Sequence, residues 1–190
     1  MKNKQYIIFD LDGTLIDSFE TIIKACKKVM ANYSFKQSLN DEFFAGYRYG
    51  DIEQMFNELA VMADLSKEKF REQYDEQYKK DCIAGSSIID KQFNVLKEAK
   101  ANGIGIIILT NKKQDIAEEV CKKMFGSNMI DIVIGRKDTQ PIKPRHVIKN
   151  RLQEYGINPQ EQCMKYYGDS KSDYETAKFI DVEYININVK

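Results

Sequence analysis

Two aspartates placed directly after a short apolar run constrain this chain more than any other feature. In the stretch Gln5–Ser18, QYIIFDLDGTLIDS, the run Tyr6–Ile7–Ile8–Phe9 is bulky and β-favouring, as a buried strand requires. Asp10 and Asp12 follow, with Gly13 and Thr14 behind them. Extended backbone repeats its side-chain direction every second residue, so both carboxylates are expected to point the same way from the strand's carboxyl end. Two bare carboxylates about 4 Å apart repel by roughly 4 kcal/mol at an effective dielectric near 20. A fold keeps such a pair when a cation or a shared proton compensates. Asp-Gly is also a common turn pair, so this segment by itself leaves an acidic turn open.

Downstream, the apolar period changes twice. From about residue 16 to 83 it is helical, with no convincing strand. Phe19, Ile22, Ile23, Cys26, Val29, Met30 and Tyr33 share one face, behind Asp17 or Ser18 as a cap. A polar, glycine-bounded stretch, Gly46–Asp51, precedes a helix with Ile52, Met55, Phe56, Leu59 and Met62 on one side. Ser66 can cap another, on which Phe70, Tyr74 and Tyr78 are four residues apart.

From Gly85 onward strands and helices alternate. A helix through Phe93 and Leu96 stops at Asn102–Gly103. Ile104–Leu109 is a nearly continuous aliphatic run, the pattern of a strand covered on both faces. A helix with Ile116, Ala117, Val120, Cys121 and Met124 leads to a strand at Ile132–Ile134. A helix over Pro144–Tyr155, a strand at Met164–Tyr167, a helix over Tyr174–Ile180 and a strand near Glu183–Val189 complete the pattern. Such alternation implies a Rossmann-like parallel sheet of the α/β class with helices on both faces. The expected division is a core of residues 1–15 and 84–190, interrupted by a helical insert of residues 16–83.

In open parallel sheets ligands bind beyond the strands' carboxyl ends. The chemistry-bearing residues fall there: Asp10 and Asp12, then Thr110 and Asn111, then Asp169, Ser170 and Asp173, with Lys143 in the loop Pro141–Pro144. Carboxylates of this number suit Mg²⁺, a hard cation that takes oxygen ligands. A lysine, a hydroxyl and helix amino-terminal amides suit a phosphate. Singly, Thr110 and Asp169 also read as helix caps and Lys143 as an exposed lysine. Their joint position favours a site.

These residues carry a resemblance that spans nearly the whole chain. Phe9–Leu15 (FDLDGTL), Leu109–Asn111, Lys143 in PIKP, and Gly168–Asp169–Ser170 with Asp173 resemble, in order, the four motifs of the haloacid dehalogenase superfamily. The similarity is to its phosphoglycolate phosphatase-like members, which carry a helical cap where residues 16–83 fall. The resemblance implies a Mg²⁺-dependent phosphatase acting on a small phosphorylated metabolite. Asp10 would be the nucleophile that becomes an aspartyl phosphate, and Asp12 the general acid and then base. Asp10, the Asp12 carbonyl and Asp169, supported by Asp173, would hold the metal. Thr110, Asn111 and Lys143 would bind the phosphoryl group, with substrate choice left to the cap. There Tyr47, Arg48 and Tyr49 are candidates to read a distal group, against a solvated loop. The Tyr74/Tyr78 stripe reads as packing.

Asp12 distinguishes phosphate chemistry from the superfamily's dehalogenases, which lack a carboxylate there. The β-phosphoglucomutase relatives carry a cap histidine where a gapless count puts Ile22. Here the single histidine is His146, expected at the surface, so hydrolysis is favoured over the mutase alternative. A phospho-aspartate signalling module is a further class, disfavoured by Asp12 and the cap. Relatives usually continue past the last strand, whereas this chain stops at Lys190, which is expected to expose a sheet edge.

Composition narrows the partners. Lys+Arg and Asp+Glu both number 29, so no net charge draws the chain to nucleic acid or an anionic membrane. No apolar run approaches the roughly 20 residues of a membrane span, and the start is too short in apolar residues for a signal peptide. Cys26, Cys82, Cys121 and Cys163 are widely spaced and read as buried free thiols, consistent with a cytoplasmic protein.

Overall fold

The computed structural model describes residues 4–34, 39–48, 51–81, 83, 85–143 and 146–188. Strand β1 (Tyr6–Phe9) is followed by β2 (Ile16–Asp17) and α1 (Phe19–Met30). Three helices come next: α2 (Asp41–Ala45), α3 (Ile52–Met62) and α4 (Lys67–Asp81). Strand β3 (Ser87–Ile88) leads to α5 (Asp90–Ala101), β4 (Gly105–Lys113), α6 (Gln114–Phe125) and β5 (Ile132–Arg136). The chain ends with α7 (Val147–Glu154), the short α8 (Pro159–Gln162), β6 (Cys163–Gly168), α9 (Lys171–Ile180) and β7 (Glu183–Asn186).

The main sheet is parallel throughout, in the order β5-β4-β1-β6-β7. The order runs one way from β1 through β4 to β5, and the other way through β6 to β7. β1 therefore flanks the switch point where open sheets of this kind bind ligands. Register sets the level of the rim: Phe9 lies opposite both Ile108 and Tyr167. The residues just beyond them, Asp10, Leu109–Thr110 and Gly168–Asp169, consequently emerge together.

Alternation in the strands divides the core into two clusters. Ile7, Phe9, Ile106 and Ile108 pack with α1, α5 and α6, in a cluster that continues into Met55, Phe56, Leu59, Phe70, Tyr74 and Tyr78 of the helical insert. Ile8, Ile107, Leu109, Ile134 and Tyr166 pack with Ile148 and Leu152 of α7 and Ala177 and Ile180 of α9. Each aliphatic or aromatic side chain buried this way contributes about 1.5–3 kcal/mol relative to exposure. The aromatic ladder predicted on α4 is thus packing: the ring of Phe56 lies 4.6 Å from Tyr74, and Tyr74 lies 5.7 Å from Tyr78.

One expectation for the insert needs correction. Residues 16–83 are not free of strand, because Ile16–Asp17 pairs antiparallel with Ser87–Ile88 and Ile89 N–H donates to the Leu15 carbonyl. The two chain crossings are clipped into a ribbon, a pairing between distant segments that neither segment's short sequence announces. Helices α2 and α8 and the first turn of α9 also escape the apolar period, since they are too short or too polar to carry one. The expected amino-terminal residue of α7, Pro144, lies outside the described residues, as do Cys82 and Tyr49. Cys26 and Cys121 are buried free thiols and Cys163 is half-buried. Burial pushes the thiols of Cys121 and Cys163 up to about 12, so neither is a ready nucleophile.

Candidate active site

Asp10 leaves β1 with its N–H on the Tyr167 carbonyl at 2.8 Å, and it is 4% exposed. Lys143 Nζ donates to Asp10 Oδ1 at 2.5 Å and to Asp173 Oδ1 at 2.5 Å, joining residues from opposite sides of β1. Thr14 Oγ1 donates to the other Asp10 oxygen at 3.3 Å. Asp173, fully buried, also accepts from Tyr166 Oη at 3.0 Å, Ser170 N at 3.1 Å and Ser170 Oγ at 2.6 Å. Ser170 and Asp173 together form the capping box of α9, so the helix start and the site share one residue.

Carboxylate oxygens of Asp10, Asp169 and Asp173 lie within 4.8 Å of one another. Glycine makes this convergence possible. Gly13 has φ +82°, and a Cβ there would collide with Asp169 Oδ2; one at Gly168 would press on Asp173.

Electrostatically the cluster is short of positive charge. Burial pushes the Asp10 carboxyl well up; Lys143 opposes this, and Asp173, Asp169 and Asp12 reinforce it. Burial followed by Asp173 raises Asp169 to about 6. Burial also works against Asp173, but Lys143 and the Ser170 hydrogen bonds outweigh it and hold that carboxyl below its usual range. Lys143 stays charged despite its burial because two carboxylates flank it. Lys143 thus stands equally near Asp10 and Asp173, and one ammonium faces three buried or half-buried carboxylates. Three hard oxygen donors around one shared lysine fit a divalent cation such as Mg²⁺.

Asp12 has separate surroundings. The strand ends at Phe9 and the chain turns, with Leu15 and Ile16 N–H both on the Leu11 carbonyl. The every-second-residue rule that sets Asp10 and Asp12 side by side therefore does not run through them. Asp12 Oδ1 accepts from Lys112 Nζ at 2.7 Å and from Ser18 Oγ at 2.5 Å. Ser18 heads α1 without capping it; Asp17 Oδ1 accepts the Phe19 N–H instead, at 3.3 Å. Burial would discharge Lys112, but Asp12 outweighs it and holds the ammonium firmly protonated. Sequence reasoning missed Lys112. The signal was available: two residues beyond Thr110, it continues the buried row Ile106–Ile108–Thr110, while Lys113 is exposed.

The other expected site residues lie as follows. Thr110 is buried at the rim, its Oγ1 accepting the Lys112 N–H at 3.2 Å. The Asn111 side-chain oxygen accepts the N–H groups of Ile142 at 3.0 Å and Lys143 at 2.9 Å. That oxygen is committed to holding the loop that carries Lys143. Arg48 donates to Asp17 and Glu20, both at 3.2 Å, and stands 5.4 Å from the Phe19 ring centroid. Tyr47 is half-buried beside Phe43. His146 is exposed at the start of α7, as expected.

Comparison with known proteins follows the same outline. The sequence matches the family described as haloacid dehalogenase-like hydrolase over residues 7–187. A phosphoglycolate phosphatase of Aquifex aeolicus is 25% identical over 177 residues, covering 90% of this chain and 79% of that protein. A Clostridium perfringens protein described as a candidate pyrophosphatase, PpaX, is 27% identical over 185 residues, covering 90% and 78%. Among solved structures, a haloacid dehalogenase-like family hydrolase from Streptococcus pneumoniae superposes with a TM-score of 0.73 at 25% identity, covering 98% of this chain and 85% of that one.

Proposed function

Because the chain belongs to the haloacid dehalogenase-like hydrolases, we propose that it is a Mg²⁺-dependent phosphatase of small phosphorylated metabolites, working through an aspartyl phosphate. The observation that carries this reading is the convergence of Asp10, Asp169 and Asp173, two of them on one lysine, beside a further aspartate with its own partners. Asp10, the Asp12 carbonyl and Asp169, with Asp173 behind them, would hold Mg²⁺, which when bound offsets the negative charge of these carboxylates and of a phosphoryl group.

A carboxylate oxygen of Asp10 attacks phosphorus, the phosphorus–oxygen ester bond breaks, and Asp12 gives its proton to the departing alkoxide. Water then attacks the aspartyl phosphate and passes its proton to Asp12, releasing phosphate and restoring Asp10. Lys143 and Thr110 face the oxygens on which charge develops. Asn111 acts by fixing the Lys143 loop through the Ile142 and Lys143 amides.

Residues 16–83 act as a cap over a core of residues 1–15 and 84–190, and the ribbon of β2 and β3 is the natural place for it to turn. Tyr47 and Arg48 are the cap residues assigned to substrate choice. Relatives described as acting on phosphoglycolate, or as a candidate pyrophosphatase, make small anionic phosphates the first class to try. A cytoplasmic setting fits, and among the described residues no helix is long and apolar enough to cross a membrane.

The test is phosphate release from a panel of phosphoglycolate, sugar phosphates, nucleotides and pyrophosphate. Turnover that needs Mg²⁺ and is lost in Asp10→Asn is expected. An isomerised sugar phosphate with little free phosphate would point to a mutase. A phosphorylated protein persisting for minutes would point to a signalling module.

A further inference from the structure

Lys112 is a buried cation that the reaction outlined above does not use. It enters the rim from β4 with only 6% of its side chain exposed. Its Nζ lies 2.7 Å from Asp12 Oδ1 and 4.3 Å from the centroid of the Tyr78 ring, on helix α4 of the insert. Tyr78 is itself fully buried, its hydroxyl 3.5 Å from Thr21 Oγ1. Burying an ammonium is costly unless it is well paired, and this one pairs with the aspartate assigned to proton transfer.

The geometry of that pairing is one-sided. Lys112 Nζ and Ser18 Oγ both donate to Oδ1 of Asp12. A carboxyl whose one oxygen accepts two donors carries its proton on the other oxygen, because a proton on the first would face both donors. Oδ2 is thereby selected as the oxygen that gives a proton to the leaving group and takes one from water.

We propose that Lys112 is a positioning residue for Asp12: with Ser18 it fixes the carboxyl's rotation and dedicates Oδ2 to proton transfer. Tyr78 lays its ring over the ammonium, so the helical insert completes this arrangement and covers the lysine end of the ion pair. The assignment rests on the proposed phosphatase chemistry, in which Asp12 is acid and base. It differs from a role as a phosphate ligand, which Lys143, in the loop after β5, already fills.

The two roles separate by leaving group. An alkyl alkoxide needs a proton as it departs, whereas 2,4-dinitrophenolate does not. For Lys112→Met, the single-turnover rate with phosphoglycolate, or with whichever alkyl phosphate the panel selects, is expected to fall about 10²-fold. The burst of dinitrophenolate from 2,4-dinitrophenyl phosphate should stay within about threefold, with the phosphoenzyme then accumulating because its hydrolysis lacks a placed base. Inhibition by inorganic phosphate should be unchanged. Both rates come from one preparation, so their ratio is independent of the folded fraction. Should the Met variant prove insoluble, Lys112→Gln keeps a donor at similar reach and should show the same imbalance at smaller amplitude.

Equal loss with both esters, together with weaker phosphate inhibition, would overturn the proposal and make Lys112 a phosphate ligand. Asp12→Asn serves as the ruler. If it too shows no leaving-group dependence, the phosphatase reading fails at Asp12; if it shows the imbalance and Lys112→Met does not, only the assignment of Lys112 fails.

Discussion

The molecule buries two clusters of charge, and they are balanced differently. At the rim, Asp10 and Asp173 share Lys143, and a carboxylate oxygen of Asp169 lies within 4.8 Å of theirs. At the seam between the insert and the sheet, each carboxylate has a cation of its own. Asp75 of α4 accepts a bidentate pair from Arg136 at the end of β5, and Glu53 of α3 pairs with Arg71 and Lys67. Arg136 also donates to the Asn111 carbonyl at 2.9 Å, so the seam braces the backbone beside the site. Burial raises Glu53, yet Arg71 more than reverses it and the carboxyl ends below its usual range, whereas Asp75 stays above its usual range because burial outweighs Arg136. Among the described residues Asp169 has no cation of its own, and burial followed by Asp173 raises it to about 6. A cluster in which each carboxylate has its own cation holds elements together; one with excess negative charge has the electrostatics that a bound cation would relieve.

Measurements at the rim and at the seam distinguish the two clusters. The largest effect should be Asp10→Asn, which removes the proposed nucleophile and is expected to lower aryl phosphate hydrolysis by more than about 10³-fold. Wild-type-like turnover by this variant would end the comparison, since the rim would then be structural too. Next comes Asp75→Asn at the seam. It leaves Arg136 buried without its counterion, so urea unfolding should show a loss of about 3 kcal/mol, with no fall in Mg²⁺ affinity.

Mg²⁺ itself should act only on the rim. At a concentration 100 times its dissociation constant it should stabilise the chain by about 2.7 kcal/mol. In Asp169→Asn that gain should shrink, while the metal-free variant should be no less stable than the parent. Calorimetry with and without chelator reads both.

The smallest effect is in pH. Asp169 binds its proton more tightly folded, at about 6, than at the ordinary value of 3.8. Between these values the folded state holds the extra proton. In chelator, stability from this group should therefore be present below about pH 4 and be lost as pH rises through about 6. Denaturation midpoints across that range, compared with Asp169→Asn, isolate it. A flat parent profile would mean that the rim is already balanced.

Much of this was legible in the residues. The runs Tyr6–Phe9 and Ile104–Leu109 announce buried parallel strands because both their faces are apolar. Once strands alternate with helices, Asp10, Thr110 and Asp169 must fall at one rim, whatever the details of packing. The aromatic ladder of α4 was equally plain, since a spacing of four places Phe70, Tyr74 and Tyr78 on one stripe. The ribbon at Ile16–Asp17 was not, because two residues carry no period and their partner lies 72 positions on, at Ile88 for Ile16.

Local sequence therefore sets the order of elements, the level of the rim and the set of residues delivered to it. These follow from local periodicity and from the handedness of parallel crossovers, which act over one element or one βαβ unit. Tertiary structure alone decided how charge is shared among them. Lys143 meets Asp10 across 133 positions and Lys112 meets Asp12 across 100. Such pairings depend on where the strand ends, how the loop turns after Phe9, and the break in register between Leu109 and Lys113. Asp10 and Asp12 are neighbours in the chain, yet they answer to different lysines, because ion pairs form by distance in space and the turn at Leu11 sets that distance.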